Sequence, residues 1–238
     1  MFLEVRNLHS YYGKSHILQG VDLNLERGET VCLLGRNGVG KTTTLKSIMG
    51  MVKPETGTVL LDGNDLTGLL PYQIARVGVG IVPEDRRILP SLTVHENLLI
   101  GMKLPADPKQ GGEVIWDPDR IYRIFPNLEQ RRHHMGNQLS GGEQQMLSVA
   151  RTLMGNPRVI LVDEPTEGLA PLLVRSVMQM LGDIQRSGVT ILLVEQNMKA
   201  AIEVAARFYI MAKGKIVFEG DRKALEAAEE VRQRYLEV

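Results

Sequence analysis

One stretch of eight residues constrains this 238-residue chain more than any other feature. Gly35-Arg36-Asn37-Gly38-Val39-Gly40-Lys41-Thr42 follows directly on the apolar run Thr30-Val31-Cys32-Leu33-Leu34, and Thr43 to Met51 then reads as a helix. A glycine-rich turn between a strand covered on both faces and a helix start lets backbone N–H groups converge on an anion. The helix end adds about half a positive charge. From this turn Lys41 can reach the outer phosphates of a nucleotide, and Thr42 can offer its hydroxyl to magnesium. Both the spacing and the strand-to-helix context are those of a phosphate-cradling P-loop, which predicts ATP as ligand over Gly35 to Thr43.

The chain around this turn reads as one α/β unit with a helical insertion. Phe2 to Arg6 and Ile17 to Leu25 alternate with period two, as antiparallel strands do, and Thr58 to Leu61 reads as a second edge strand. Val79-Gly80-Ile81-Val82, Val159-Ile160-Leu161-Val162 and Val189 to Val194 are short, continuous apolar runs of the kind buried in parallel sheets. A short helix is expected from Pro71. Another is marked by Leu173, Val177, Met180, Leu181 and Ile184, and a closing one from Arg222 to Leu236 follows a hairpin at Lys213-Gly214.

Between Pro83 and Pro157 strand patterns give way to helix starts. Thr93-Val94-His95-Glu96 is a capping box opening a helix to about Met102, and Ser140 to Met154 is a second amphipathic helix. Leu104 to Asp119 reads as an exposed loop in which Trp116 packs. The expected organisation is a single domain over 1–238, with a core and β subdomain at about 1–83 and 157–238 and a helical subdomain at about 84–156.

Charge narrows the partners. Lys plus Arg and Asp plus Glu each number 28, so no global field favours nucleic acid or an anionic membrane. The single cysteine, Cys32, excludes an intrachain disulfide and a cysteine-based zinc cage. With no basic leader pattern and no apolar run near membrane-spanning length, the expected location is cytoplasmic.

A second chemical centre is Val162-Asp163-Glu164-Pro165, at the carboxyl end of a buried strand, where open parallel sheets place ligands. Asp163 is positioned to complete a magnesium shell. Glu164, expected to point the other way, could orient and polarise an attacking water. A third is Leu139-Ser140-Gly141-Gly142-Glu143, locally a capped helix start with Ser140 as N-cap and Glu143 three residues on. Two glycines inside a helix cost about 1 kcal/mol each relative to alanine. That cost suggests a close approach to something, an anion being the natural candidate.

The order of these three segments resembles the ATP-binding cassette (ABC) transporter ATPases along the whole chain. The resemblance implies a P-loop NTPase (RecA-like) core with an antiparallel β subdomain and an inserted α-helical subdomain, which hydrolyses ATP with Mg2+. It implies a head-to-tail pair of cassettes in which the Ser140-Gly141-Gly142-Glu143 helix start of one meets the terminal phosphate held by Lys41 of the other. It also implies adenine stacking on Tyr12, a magnesium contact at Glu84, and a phosphate or water contact at Gln196. Glu84 and Gln196 replace the glutamine and histidine usual at those places, and an amide at 196 cannot titrate near neutral pH.

Together with Glu164-Pro165-Thr166-Glu167-Gly168-Leu169-Ala170-Pro171, these substitutions resemble the subgroup that powers branched-chain amino acid import; urea importers share the P-loop and the opening segment. The implied partners are a second cassette subunit, like or unlike, transmembrane permease subunits and, indirectly, a solute-binding protein, with the chain on the cytoplasmic face of the membrane. A soluble cassette ATPase and a small-molecule kinase are the rival readings. The kinase leaves Leu139 to Glu143 unexplained.

Overall fold

The computed structural model describes residues 1–103 and 115–236. Two sheets and a set of helices enclose two hydrophobic cores. Strands β1 (Leu3–Tyr12), β2 (Ser15–Leu25), β4 (Thr56–Leu61) and the two-residue β5 (Asn64–Asp65) form an antiparallel sheet in the order β2-β1-β4-β5. The expected edge strand at Thr58 is therefore an inner one, since β5 pairs along its outer side.

The second sheet combines β3 (Thr30–Leu34), β6 (Val79–Val82), β7 (Val159–Asp163), β8 (Thr190–Glu195), β9 (Arg207–Ala212) and β10 (Lys215–Asp221). Its order is β10-β9-β3-β8-β7-β6, parallel except for the β9–β10 hairpin. Its buried strands divide their side chains by pleat. Val31, Leu33, Val159, Leu161, Leu192 and Val194 share one core with the antiparallel sheet and helix α1 (Lys41–Ile48). Cys32, Leu34, Ile160, Val162, Ile191 and Leu193 face the other core. This sheet carries the carboxyl ends of β3, β7 and β8 to one rim.

Among the described residues, the α-helices between β6 and β7 are α3 (Val94–Gly101), α4 (Pro118–Ile124), α5 (Pro126–Gln130) and α6 (Gly141–Leu153), while α2 (Pro71–Arg76) precedes β6. Thr93 caps α3, with its hydroxyl accepting from Glu96 N–H and the Glu96 carboxylate accepting in return. Trp116 is buried in the core shared by these helices, with the Arg120 guanidinium over its ring. The expected loop from Leu104 lies, as far as residue 114, outside the described residues.

Helix α7 (Pro171–Arg186) buries Val177, Met180, Leu181 and Ile184, and α8 (Met198–Ala201) follows β8. The closing helix is two pieces, α9 (Arg222–Ala227) and α10 (Glu229–Tyr235), because Ala228 leaves helical geometry at φ −82°, ψ 59°. Among the described residues no helix is long and apolar enough to cross a membrane.

Candidate nucleotide site

The P-loop forms where β3 ends, and its backbone explains its glycines. Gly40 has φ +117°, a conformation that side chains other than glycine's rarely adopt, and a Cβ on Gly35 would sit 2.7 Å from the Met211 carbonyl. Lys41, almost fully buried, folds back inside the loop. Its Nζ donates to the carbonyls of Gly35 (2.7 Å) and Arg36 (2.8 Å) and pairs with Glu164 Oε1 at 3.1 Å. Thr42 Oγ1 donates to Asp163 Oδ1 at 3.0 Å.

Both acids at the end of β7 therefore face the P-loop, which corrects the expectation that Glu164 points away. Alternation along the strand would separate them, but Glu164 has φ +43°, with its N–H held by the Val194 carbonyl at 3.0 Å. That left-handed turn brings its carboxylate round beside its neighbour's. A non-glycine residue held in this region stores strain, and such strain gathers at functional sites.

Gln196, just past β8, closes the array. Its Nε2 donates to Glu164 Oε2 at 2.6 Å and to Asn37 Oδ1 of the P-loop, using both amide hydrogens. Over this floor lies a cavity of about 360 Å³ lined by Tyr12, Asn37, Gly38, Gly40, Lys41, Thr42, Thr43, Glu84 and Glu164. Its wall also includes Glu167, which sequence reasoning left out; only its position three residues past Glu164 pointed to it. Val39 packs instead against the core under the antiparallel sheet.

The electrostatics follow from crowding carboxylates where little water reaches. Burial pushes Asp163 up to about 6, with the adjacent Glu164 charge adding and the Thr42 hydrogen bond opposing. Glu84 is raised too, first by desolvation and then by its hydrogen bond and charge contact with Glu167. Among the described residues no three His, Cys, Asp or Glu side chains are grouped to hold a metal unaided. The site nevertheless suits a magnesium ion, which takes one or two carboxylates and fills its shell from phosphates and water. The adjoining Thr42 and Asp163 oxygens are hard donors, and the crowding of Asp163, Glu164 and Glu84 favours a cation.

Ser140 to Glu143 stand apart, for none of them lines this cavity. Ser140 is exposed and caps α6 reciprocally with Glu143, whose Oε2 accepts from Ser140 N (2.8 Å) and Oγ (2.7 Å). The glycines have a local cause that the sequence did not reveal. A Cβ on Gly142 would lie 3.0 Å from both Leu173 methyl carbons, and one on Gly141 would lie 3.2 Å from an Arg86 nitrogen. Close packing onto α7 and Arg86, rather than an anion alone, accounts for the small residues.

A buried strand opening into a phosphate cradle, with acids from β7, one strand beyond its neighbour β8, beside Lys41 and Thr42, defines a P-loop nucleoside triphosphatase. The match to known proteins narrows this: residues 18–167 fit the ABC transporter family, and the chain belongs to that family. Across 98% of its length it is 37% identical to the high-affinity branched-chain amino acid transport ATP-binding protein BraG of Pseudomonas aeruginosa, covering 99% of that protein. Over the same share it is 34% identical to the lipopolysaccharide export system ATP-binding protein LptB of Haemophilus influenzae, covering 96% of it. A crystal structure of a nucleotide-free ATP-binding cassette from an ABC transporter superposes with TM-score 0.82 at 26% identity, covering 96% of this chain and 95% of that one. The chain is thus an ATP-binding, ATP-hydrolysing cassette of a family whose members work as dimers with membrane permease subunits.

Proposed function

We propose that this cassette drives import of branched-chain amino acids, with hydrolysis organised by Lys41, Glu164 and Gln196. The observation that carries the catalytic assignment is the Glu164 carboxylate, bonded on one oxygen to Lys41 and on the other to Gln196. Lys41 places its charge on Glu164 and two loop carbonyls. When ATP enters, its outer phosphates compete for Lys41 and free one carboxylate oxygen. Glu164 then accepts a proton from the water whose oxygen attacks the terminal phosphorus, as the bond to the ADP oxygen breaks. Gln196 holds Glu164 by one amide hydrogen and, on leaving Asn37, can turn the other to a phosphate oxygen.

Thr42 and Asp163 would hold the magnesium ion, with Glu84 at the cavity wall beside them; the ion supplies charge neutralisation along the phosphates. Tyr12, 48% exposed at the end of β1 and lining the cavity, offers its ring to the adenine. Ser140 to Glu143, exposed at Ser140 and outside their own chain's cavity, would complete the site of a second cassette. The expected helical subdomain at 84–156 would carry this surface.

A groove of about 370 Å³ between α1 and α3, lined by Met49, Met51, Ile81, Ile100 and Arg151, supports docking of a permease segment. Met51 and Ile100 are among the exposed large apolar side chains there. This surface favours a membrane-attached motor over a free-standing ATPase.

The solute assignment rests on the similarity to BraG. The similarity to LptB keeps lipopolysaccharide export as a second reading, and the P-loop and opening segment keep urea import as a third. Uptake of labelled leucine, isoleucine and valine in cells whose native copy is replaced by Glu164→Gln decides among them. Loss of leucine uptake is expected. Unchanged uptake with failure of lipopolysaccharide export, or of urea uptake, would overturn the assignment.

A further inference from the structure

Glu195, the last residue of β8, is a carboxylate only 2% exposed, and no basic side chain forms an ion pair with it among the described residues. An isolated charge in such a place costs several kcal/mol unless hydrogen bonds replace the water it has lost. Four donors do so, two on each oxygen. Oε1 accepts from Thr166 Oγ1 (2.7 Å) and Thr166 N (3.2 Å); Oε2 accepts from Gln196 N (3.1 Å) and Asn197 N (3.3 Å).

These partners lie on the two loops that carry the chemistry. Thr166 is two residues past Glu164, at the far side of the strained turn, and Gln196 follows Glu195 directly. With the Gln196–Glu164 hydrogen bond at 2.6 Å, the contacts close a ring: Glu164, Pro165, Thr166, Glu195, Gln196 and back to Glu164. Without the carboxylate, the hydrogen bonds that remain between these segments among the described residues are those of the Gln196 side chain to Glu164 and of the Glu164 N–H to the Val194 carbonyl.

We infer that Glu195 is a positioning residue for ATP hydrolysis, clipping the two loops so that Glu164 and Gln196 meet the attacking water and phosphate in fixed register. The inference rests on the roles given above to Glu164 and Gln196. A carboxylate suits the position because three of the four partners are backbone N–H groups that can only donate. Glutamine at 195 would turn its NH2 either toward Thr166, where the hydroxyl can reverse to accept but the Thr166 N–H loses its acceptor, or toward the Gln196 and Asn197 N–H groups, where both bonds are lost.

The test is steady-state hydrolysis and ATP affinity of purified Glu195→Gln, Thr166→Val and Thr166→Ser proteins, each also combined with Glu164→Gln. Misplacing a catalytic pair by a fraction of an ångström lowers kcat about 10- to 100-fold with little change in ATP affinity, the result expected for Glu195→Gln. Thr166→Val, which keeps the shape and loses the hydroxyl bond, is expected to lower kcat about three- to tenfold, and Thr166→Ser to restore it. In the Glu164→Gln background Glu195→Gln should remove nothing further, because there is no base left to position.

The inference fails if Glu195→Gln reduces residual hydrolysis by the same factor with and without Glu164, or weakens ATP binding as much as turnover. It also fails if Thr166→Val and Thr166→Ser behave alike. Should Glu195→Gln fail to fold, the valine and serine pair decides alone. Full activity of Glu164→Gln itself would instead overturn the reading of the site on which the inference stands.

Discussion

The P-loop and the Ser140 helix start are both glycine-rich amino ends of helices, yet they are finished to different degrees. In the P-loop three side chains are already engaged: Lys41 with two carbonyls and Glu164, Thr42 with Asp163, Asn37 with Gln196. At α6 the Ser140 side chain bonds to its own cap partner, Glu143, and the serine is exposed and does not line the cavity. One region is a site preorganised within a single chain. The other is a solvent-facing surface outside its own chain's cavity. On the proposed function, two such molecules, head to tail, would supply each other's missing half.

The largest effect should come from breaking the finished half. Lys41→Ala strips the P-loop of its buried charge and leaves Glu164 buried without its cation, so nucleotide binding should vanish. The nucleotide-free fold should lose about 3–5 kcal/mol in urea unfolding. Breaking the unfinished half should look different. Ser140→Arg is expected to lower hydrolysis on the order of 100-fold while leaving ATP affinity of the isolated chain within about twofold. Its loss of the α6 cap should cost only about 1 kcal/mol. Equal damage to single-chain ATP binding by both variants would erase the distinction.

Smaller effects sharpen it within the P-loop half. Gln196→Ala removes a group that can act on the transition state and should slow turnover about tenfold, more than it weakens nucleotide binding. Comparable loss in both would remove that role. Asp163 binds its proton more tightly folded than unfolded, so its contribution to stability is fully present below about pH 4 and is lost as pH rises through about 6. Nucleotide-free Asp163→Asn, which keeps an acceptor for Thr42, should therefore be about 1–2 kcal/mol more stable than the parent near neutral pH. That advantage should fade on acidification, and denaturant unfolding across this range measures it.

What could be read from the sequence was the chemistry that requires close spacing. Gly35 to Thr42, the Asp163-Glu164 pair and the Ser140–Glu143 capping box are each set by neighbours a few residues apart, so residue type and order reveal them. Missed were relations between segments distant in the chain. The Lys41–Glu164 ion pair, the reach of Thr166 to Glu195 and the packing of Gly142 on Leu173 join residues with no local pattern in common. The direction of Glu164 was misread because strand alternation predicts it, and a positive φ that sequence alone does not announce overrides it. The inner position of β4 depended on β5, two residues long and too short for any periodicity to show.

The pairing of finished and unfinished halves is tested most directly by the mass in solution of Glu164→Gln, which should bind ATP without consuming it. With ATP and magnesium, sedimentation should give the mass of two chains, and adding Ser140→Arg or omitting ATP should return the mass of one. A single-chain mass under all three conditions, with ATP demonstrably bound, would contradict the account.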